Sequence, residues 1–490
     1  MLAFLPIVLD LTILHVAVPS LTLALGATGT ETLWIIDVYP LLMASLLIPM
    51  GTLADRIGHR RVLITGLFIF LAGSVCAAYS PSAGALIAAR ALMAVGAAMA
   101  MPCTLAIIRQ TFTDDRERAT ALGTWGAVGS AGAAIGPLVG GALLEHFWWG
   151  AVFLVNVPVM LVVMPLVIAY TPRATATFKG EWPIGQALVL MLGIMASVYA
   201  LKSGFKSDSS LAVTAAALVV GLTAIVWFVR QQRKSAQPML DVSLFERLAI
   251  SAGVVMALVV MGALAGVELM LAQELQFVLG HTPLQAGLFM LPLMIGSAVG
   301  GPLAGFILGR LGLRWVAPLS LLVAASSLLS MGMSDFAVAG WGVVAMLATL
   351  GLALGIGLTA SSVAIMSSTP VEKAGSAGAL EATSYDLGSG LGITGFGLLL
   401  TSSYTASIRM PQNLPADLAE GASHSIGETS LAAQKLGGPA GQALAAAGRD
   451  AFSASHSVVL LAAAALIGVL SVVVFVVLRA YQAPGNEAVH

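Results

Sequence analysis

The chain has 490 residues, 58% of them hydrophobic and only 9% charged, and its 22 basic and 23 acidic side chains leave a net charge of −1. A soluble body of 50.0 kDa with a mean hydropathy of +0.97 is excluded, because a water-facing surface needs about 25% charged residues; disordered, collagen-like and disulfide-framed chains fall with it. Apolar runs of about 20 residues suit helices crossing roughly 30 Å of hydrocarbon, and argue against the short alternating strands of a membrane β-barrel.

Breaking these runs at Gly, Pro and charge clusters predicts about fourteen spans and an all-α integral membrane fold. The first, 2–25, lacks a basic leader and carries Asp10 in its middle, so it reads as a retained helix rather than a cleaved signal. Spans follow at 32–54, 62–80, 83–108, 119–144 and 150–170, then at 183–203 and 210–230. The last six are 248–276, 284–309, 315–334, 341–366, 376–406 and 453–480. Between the final two lies a stretch, 407–452, rich in Ala, Gly, Ser and Pro. A loop of that length is either functional or loosely ordered; its segments 415–424 and 439–452 have the pattern of short amphipathic helices. Cys76 and Cys103 both fall in apolar runs, which gives no disulfide framework.

Lys and Arg are retained on the cytoplasmic side of a membrane. One set of alternating loops holds 16 basic residues, among them Arg56, Arg60, Arg109, Arg173, Arg247, Arg310, Lys373 and Arg479. The opposite set holds five, Lys202, Lys206, Arg409, Lys435 and Arg449, with Arg90 left inside a span. Both termini are therefore expected in the cytoplasm.

The loop from Gly51 through Asp55, Arg56 and Gly58 to Arg60 has a partner running from Gly305 through Gly309, Arg310 and Gly312 to Arg314. Gly, Arg, Gly and Arg recur at the same offsets, as in a parallel duplication about an axis along the membrane normal. The organisation expected is a first six-helix bundle over 1–172, two inserted helices over 173–247, and a second six-helix bundle over 248–490.

The first of these loops resembles the signature between helices 2 and 3 of the major facilitator superfamily, with Asp55, Arg56 and Arg60 at its charged positions. Arg90 followed by Gly96, Ala97 and Ala98 is similar to that superfamily's intramembrane Arg motif. The run Gly132-Ala-Ala-Ile-Gly136-Pro137-Leu-Val-Gly140-Gly141 resembles the motif of its antiporters. Leu9-Asp10 through Pro19, and Trp34-Ile-Ile-Asp37-Val-Tyr39, resemble the first two helices of the fourteen-helix drug:proton antiporters, including the SmvA-type and QacA-type pumps for quaternary ammonium compounds and viologens. The resemblance covers the whole chain. It implies alternating access between two six-helix bundles, a gate at Asp55, Arg56 and Arg60, and a bend at Gly136 and Pro137. It also implies a Glu and an Asp in the thirteenth helix, matched here by Glu381 and Asp386. Two acidic positions of the QacA-type pumps are not kept: Ala382 and Ser297 stand there. Without the resemblance, the Gly run reads as a smooth face for helix packing, and Pro137 as a weak point in the helix.

Charge at mid-bilayer costs at least ~2.5–3.5 kcal/mol, so such residues pair or line a cavity. Asp10, Asp37, Arg90, Glu268, Glu381 and Asp386 meet that description. Asp10 with Arg90 reads either as a structural ion pair or as a coupling pair. Asp37, one turn from Trp34 and close to Tyr39, suits a lipophilic cation through charge and cation–π attraction; a protonated, hydrogen-bonded core Asp is the other reading. Glu381 and Asp386, with Tyr385 between them, point about 140° apart on a straight helix, so one can face a cavity while the other meets a neighbour. Glu268 suits helix packing and binding equally. His15 reads as packing or as a proton relay. Proton and cation competing for one carboxylate is the simplest basis for exchange.

No phosphate-binding G-x-x-x-x-G-K-[ST] loop, HExxH or G-x-S-x-G elbow occurs. The expected protein is no enzyme and carries no metal or cofactor. It is a monomeric inner-membrane antiporter, surrounded by lipid and without nucleic-acid partners, exporting lipophilic cations such as quaternary ammonium compounds, dyes, viologens or bisbiguanides against protons. A symporter or importer of another solute, or a non-transporting sensor, are the alternatives.

Overall fold

A computed structural model describes residues 2–480 except 113, 172–182, 205–209, 236–237, 335, 337–339, 370–372 and 412–420. The loop charges Arg173, Lys179 and Lys206, and most of segment 415–424, lie outside the described residues. Helices run in the order α1 (Leu5–Leu25), α2 (Gly29–Ile57), α3 (His59–Ala78), α4 (Ala83–Thr111), α5 (Asp115–His146), α6 (Ala151–Leu154) and α7 (Asn156–Tyr170). An inserted pair, α8 (Ile184–Gly204) and α9 (Leu211–Lys234), comes next. Then follow α10 (Leu248–Gln273), α11 (Pro283–Leu311), α12 (Leu313–Gly332), α13 (Trp341–Ser367), α14 (Ala374–Ser407), α15 (Ile426–Leu436) and α16 (Gly438–Val477).

Twelve described helices are long and apolar enough to cross a membrane. Two further helices, α5 and α14, are 32 and 34 residues long; both are rich in Gly, and in α14 Ser and Thr lower the hydropathy further. Such small residues allow close helix contact, which is how both are used. With these two helices the chain has the lengths for the fourteen spans expected.

The duplicated loops have duplicated geometry. α2 and α11 each span 29 residues and each opens with a capping box, Thr28 with Glu31 and Thr282 with Gln285. Each ends at a glycine with positive φ, 99° at Gly58 and 74° at Gly312, a conformation that side chains resist. The repeated glycines are therefore the stops that turn the chain into the next helix.

Two apolar cores form. One is built from α1–α4 and α6–α7, the other mainly from α10, α12, α13 and α16. The α8–α9 pair lies outside both, its outward faces exposing Leu188, Leu192, Leu218 and Val219 as a lipid-facing surface would. Arg56, Arg60, Arg230, Arg310, Arg314, Lys373 and Arg479 sit at helix ends on one side, called here the basic face.

Of the 407–452 stretch, the described residues from 421 onward are largely helical and form a cap. Residues 439–452 do not form a separate amphipathic helix but continue into α16, which runs unbroken over 40 residues. α15 lies across the far face and joins both bundles. Its Glu428 accepts a hydrogen bond from the Gly29 amide at 2.6 Å, while the Thr429 and Tyr404 hydroxyls bond at 2.6 Å. Burial pushes the Glu428 acid up from its ordinary range, against the Gly29 amide and nearby His424, which favour the carboxylate. The docked cap thus binds a proton more tightly than an undocked one. Docking strengthens as pH falls and weakens as pH rises through the raised value. Hydrogen exchange of the α15 amides, corrected for intrinsic rates, should quicken with pH, and Glu428→Gln should remove that dependence.

Candidate functional site

The site lies where the bundles meet, and it is shut on the far side. Close approaches between bundles occur in the half of the membrane near α15. On α5, a Cβ added at Gly141 would lie 2.6 Å from Leu284 Cα of α11, and one at Gly287 2.7 Å from the Pro137 carbonyl. On the opposite flank, a Cβ at Gly390 would lie 2.6 Å from the Leu41 side chain. Thr282 donates to Glu145 at 2.6 Å, and Gln276 donates to the Val16 carbonyl at 2.9 Å. The Gly run of α5 therefore makes the close packing that its composition permits. Gly129, Gly132, Gly136 and Gly140 lie against α1 and the residue before it, while Gly141 and Pro137 meet α11 across the bundle boundary.

No such close approach is made by the glycines near the basic side. Gly305 and Gly309 meet nothing within 4 Å, and Gly51 approaches only Pro102 of its own bundle. Asp55 is exposed and pairs with His59 of its own loop at 3.1 Å; Arg60 donates to the Ile168 carbonyl at 2.7 Å. The printed partners of Asp55 and Arg60 thus lie inside the first bundle, and neither residue reaches across to the second among the described contacts. Strain of about 1–3 kcal/mol from an overpacked contact shifts a gate by roughly tenfold per 1.4 kcal/mol. Gly141→Leu should open the far side. In a background lacking Cys76 and Cys103, Thr32→Cys should then react about tenfold faster with an impermeant maleimide from that side.

Deep in the first bundle, Asp10 of α1 and Arg90 of α4 form a fully buried ion pair. Arg90 also donates to the Ile35 carbonyl at 3.1 Å and lies 4.6 Å from the Tyr39 ring centroid. Tyr39 therefore does not share a site with Asp37: two residues apart on a helix, they point about 200° apart. The Tyr39 hydroxyl has no hydrogen-bond partner among the described residues and lies within electrostatic reach of Arg90, Asp10 and Asp386.

Asp37 is not empty. Its carboxylate takes the Lys202 ammonium at 2.8 Å and the Thr394 hydroxyl at 2.6 Å, and Lys202 also lies 3.8 Å from the Trp34 ring centroid. The sequence reading placed Lys202 among the loop charges of the far side. The signal against that was its position inside the 183–203 apolar run.

On α14 the two acids separate as their spacing predicts. Glu381 accepts from Tyr385 at 2.7 Å, both half-buried. Asp386 is 6% exposed, and its Oδ2 has no hydrogen-bond partner among the described residues. Glu268, left open by sequence, pairs with His15 at 2.8 Å across the bundle boundary. Glu274 pairs with His456 at 3.3 Å inside the second bundle, a contact that sequence reasoning missed because 182 residues part them. No cluster able to hold a metal ion occurs among the described residues.

A family model described as Major Facilitator Superfamily matches residues 1–393. The methyl viologen resistance protein SmvA of Salmonella typhimurium is 47% identical over 471 residues, covering 96% of this chain and 95% of that one. The multidrug efflux pump LfrA of Mycolicibacterium smegmatis is 36% identical over 477 residues, covering 94% and 93%. Among solved structures, a bacterial homologue of the human lysosomal transporter Spinster aligns with a TM-score of 0.68 at 17% identity, covering 99% of this chain and 98% of that one.

Proposed function

This chain belongs to the Major Facilitator Superfamily, and we propose that within it the protein is a fourteen-helix exporter of lipophilic organic cations, exchanging them for protons across the inner membrane by alternating access. The observation that carries this reading is Asp386, a buried carboxyl with an unpartnered oxygen and no ion pair among the described residues, where three other buried acids have a basic partner. Asp10 has Arg90, Asp37 has Lys202 and Glu268 has His15. A lone carboxylate there costs at least ~2.5–3.5 kcal/mol, so it holds either a proton or a cation. One group that must carry one of the two, but never both, is an exchanger.

The basic face is the cytoplasmic one by the positive-inside rule, so both termini are cytoplasmic, and an exporter loads from that face. Glu381 lies more than one turn nearer the basic face than Asp386 and, with its partner Tyr385, receives the cation first. Asp55, Arg56 and Arg60 are disengaged in this state and close across the bundles in the opposite one, while the Gly141–Leu284 contact opens. Tyr39 passes the charge state of Asp386 to Asp10 and Arg90. The names of the relatives, a methyl viologen resistance protein and a multidrug efflux pump, favour flat, lipophilic cations as cargo. The membrane potential adds roughly 2.3 kcal/mol per charge moved through 100 mV. The protein works as a monomer without cofactor.

In inside-out vesicles carrying a proton gradient, ethidium or a quaternary ammonium compound should drive proton release from the lumen. A gradient that no cation collapses defeats the antiport reading.

A further inference from the structure

The Lys202 ammonium stands where the sequence places a cargo cation. It has the Asp37 carboxylate on one side, at 2.8 and 3.0 Å from the two oxygens, and the Trp34 ring on the other, at 3.8 Å. Carboxylate and aromatic face are the two groups by which proteins take up organic ammonium ions. Lys202 belongs to neither six-helix bundle. It sits in the last turn of α8, in the inserted pair. A lysine at the end of a membrane helix ordinarily reaches outward to water; this side chain turns inward and is 3% exposed. Thr394, from the second bundle, completes the shell around Asp37.

We propose that Lys202 is a tethered stand-in for cargo. It neutralises Asp37 while the site is empty, and an arriving lipophilic cation takes its place as the lysine swings toward the aqueous end of α8. This rests on the exporter reading above and gives the inserted helices a role in it: they deliver a competitor. Two cations on one carboxylate would repel, so entry and displacement are one event. The competitor also filters. An inorganic or small hydrophilic cation gains nothing at Trp34 over a primary ammonium, whereas an aromatic or quaternary ammonium gains apolar contact with the ring. The same competition limits affinity, which lets cargo leave on the far side.

The test uses the purified full-length protein and ethidium, with an amine-acetylating reagent and mass spectrometry at Lys202. Lys202 should be protected in the empty protein and acetylated about tenfold faster at saturating ethidium, as expected when the ammonium leaves its buried partner. Lys202→Met should bind ethidium about tenfold more tightly, since each tenfold is the 1.4 kcal/mol scale of a single charge or cation–π contact. Ethidium binding that leaves Lys202 protected overturns the proposal, and so does unchanged or weaker binding by Lys202→Met. Absence of ethidium binding in both parent and Lys202→Met overturns the exporter reading as well, so the two failures are distinct.

Discussion

Asp386→Asn is expected to abolish proton-driven cation exchange while leaving the fold intact. The side chains are nearly isosteric, and the Oδ2 atom being replaced makes no hydrogen bond that the amide would break. What is lost is the ability to carry a negative charge. Removing one partner of a buried charge pair costs about 2–5 kcal/mol, so cation binding weakens by roughly thirtyfold or more. Asp386→Glu should retain measurable exchange. Counterflow of ethidium in proteoliposomes, with thermal unfolding as the control, decides the matter. An Asp386→Asn protein that still exchanges removes this residue from the mechanism. The Asp10→Asn variant should behave differently: it leaves Arg90 buried without its carboxylate, and the breakage of a buried pair costs about 3–5 kcal/mol of stability.

The second large effect concerns Asp37. Asp37→Asn is expected to destabilise the protein by up to about 3–5 kcal/mol, because Lys202 loses its buried partner and must either stay opposite a neutral amide or swing out to water. Loss of transport in that variant would not by itself place Asp37 in the cation site. Adding Lys202→Met should return most of the stability, since neither charge is then stranded. Lys202→Met alone should be milder, because Asp37 keeps the Thr394 hydroxyl and can take up a proton. The four proteins form a double-mutant cycle. Equal unfolding midpoints for Asp37→Asn and the parent would show that the pair does not hold the structure as described.

The fold was legible because the membrane imposes it. Hydropathy and the repeated Gly-Arg-Gly-Arg loops located the spans, and the repeat reappears as twin capping boxes and twin positive-φ glycines at Gly58 and Gly312. The last helix was misjudged at its start: the Ala-rich stretch 439–452 has the low hydropathy of a loop, yet it continues α16 beneath the α15 cap. Of the site, the members were legible and the partners were not. A carboxylate in an apolar run announces itself, but which cation answers it depends on helix packing. Lys202 comes to Asp37 across 165 residues and His15 to Glu268 across 253, distances over which one sequence carries no pattern. Helical phase settled the local questions. It parted Glu381 from Asp386, and it also sends Tyr39 away from Trp34 and toward Arg90, although the sequence reading grouped Tyr39 with Trp34 and Asp37.

The central claim is that cation and proton compete for Asp386. It is tested most directly by adding ethidium to the purified protein in weakly buffered detergent solution and recording proton release alongside binding. Competition predicts that protons appear in step with bound ethidium, with the signal lost in Asp386→Asn. Saturable ethidium binding with no proton released, or with the release unchanged in Asp386→Asn, would contradict it.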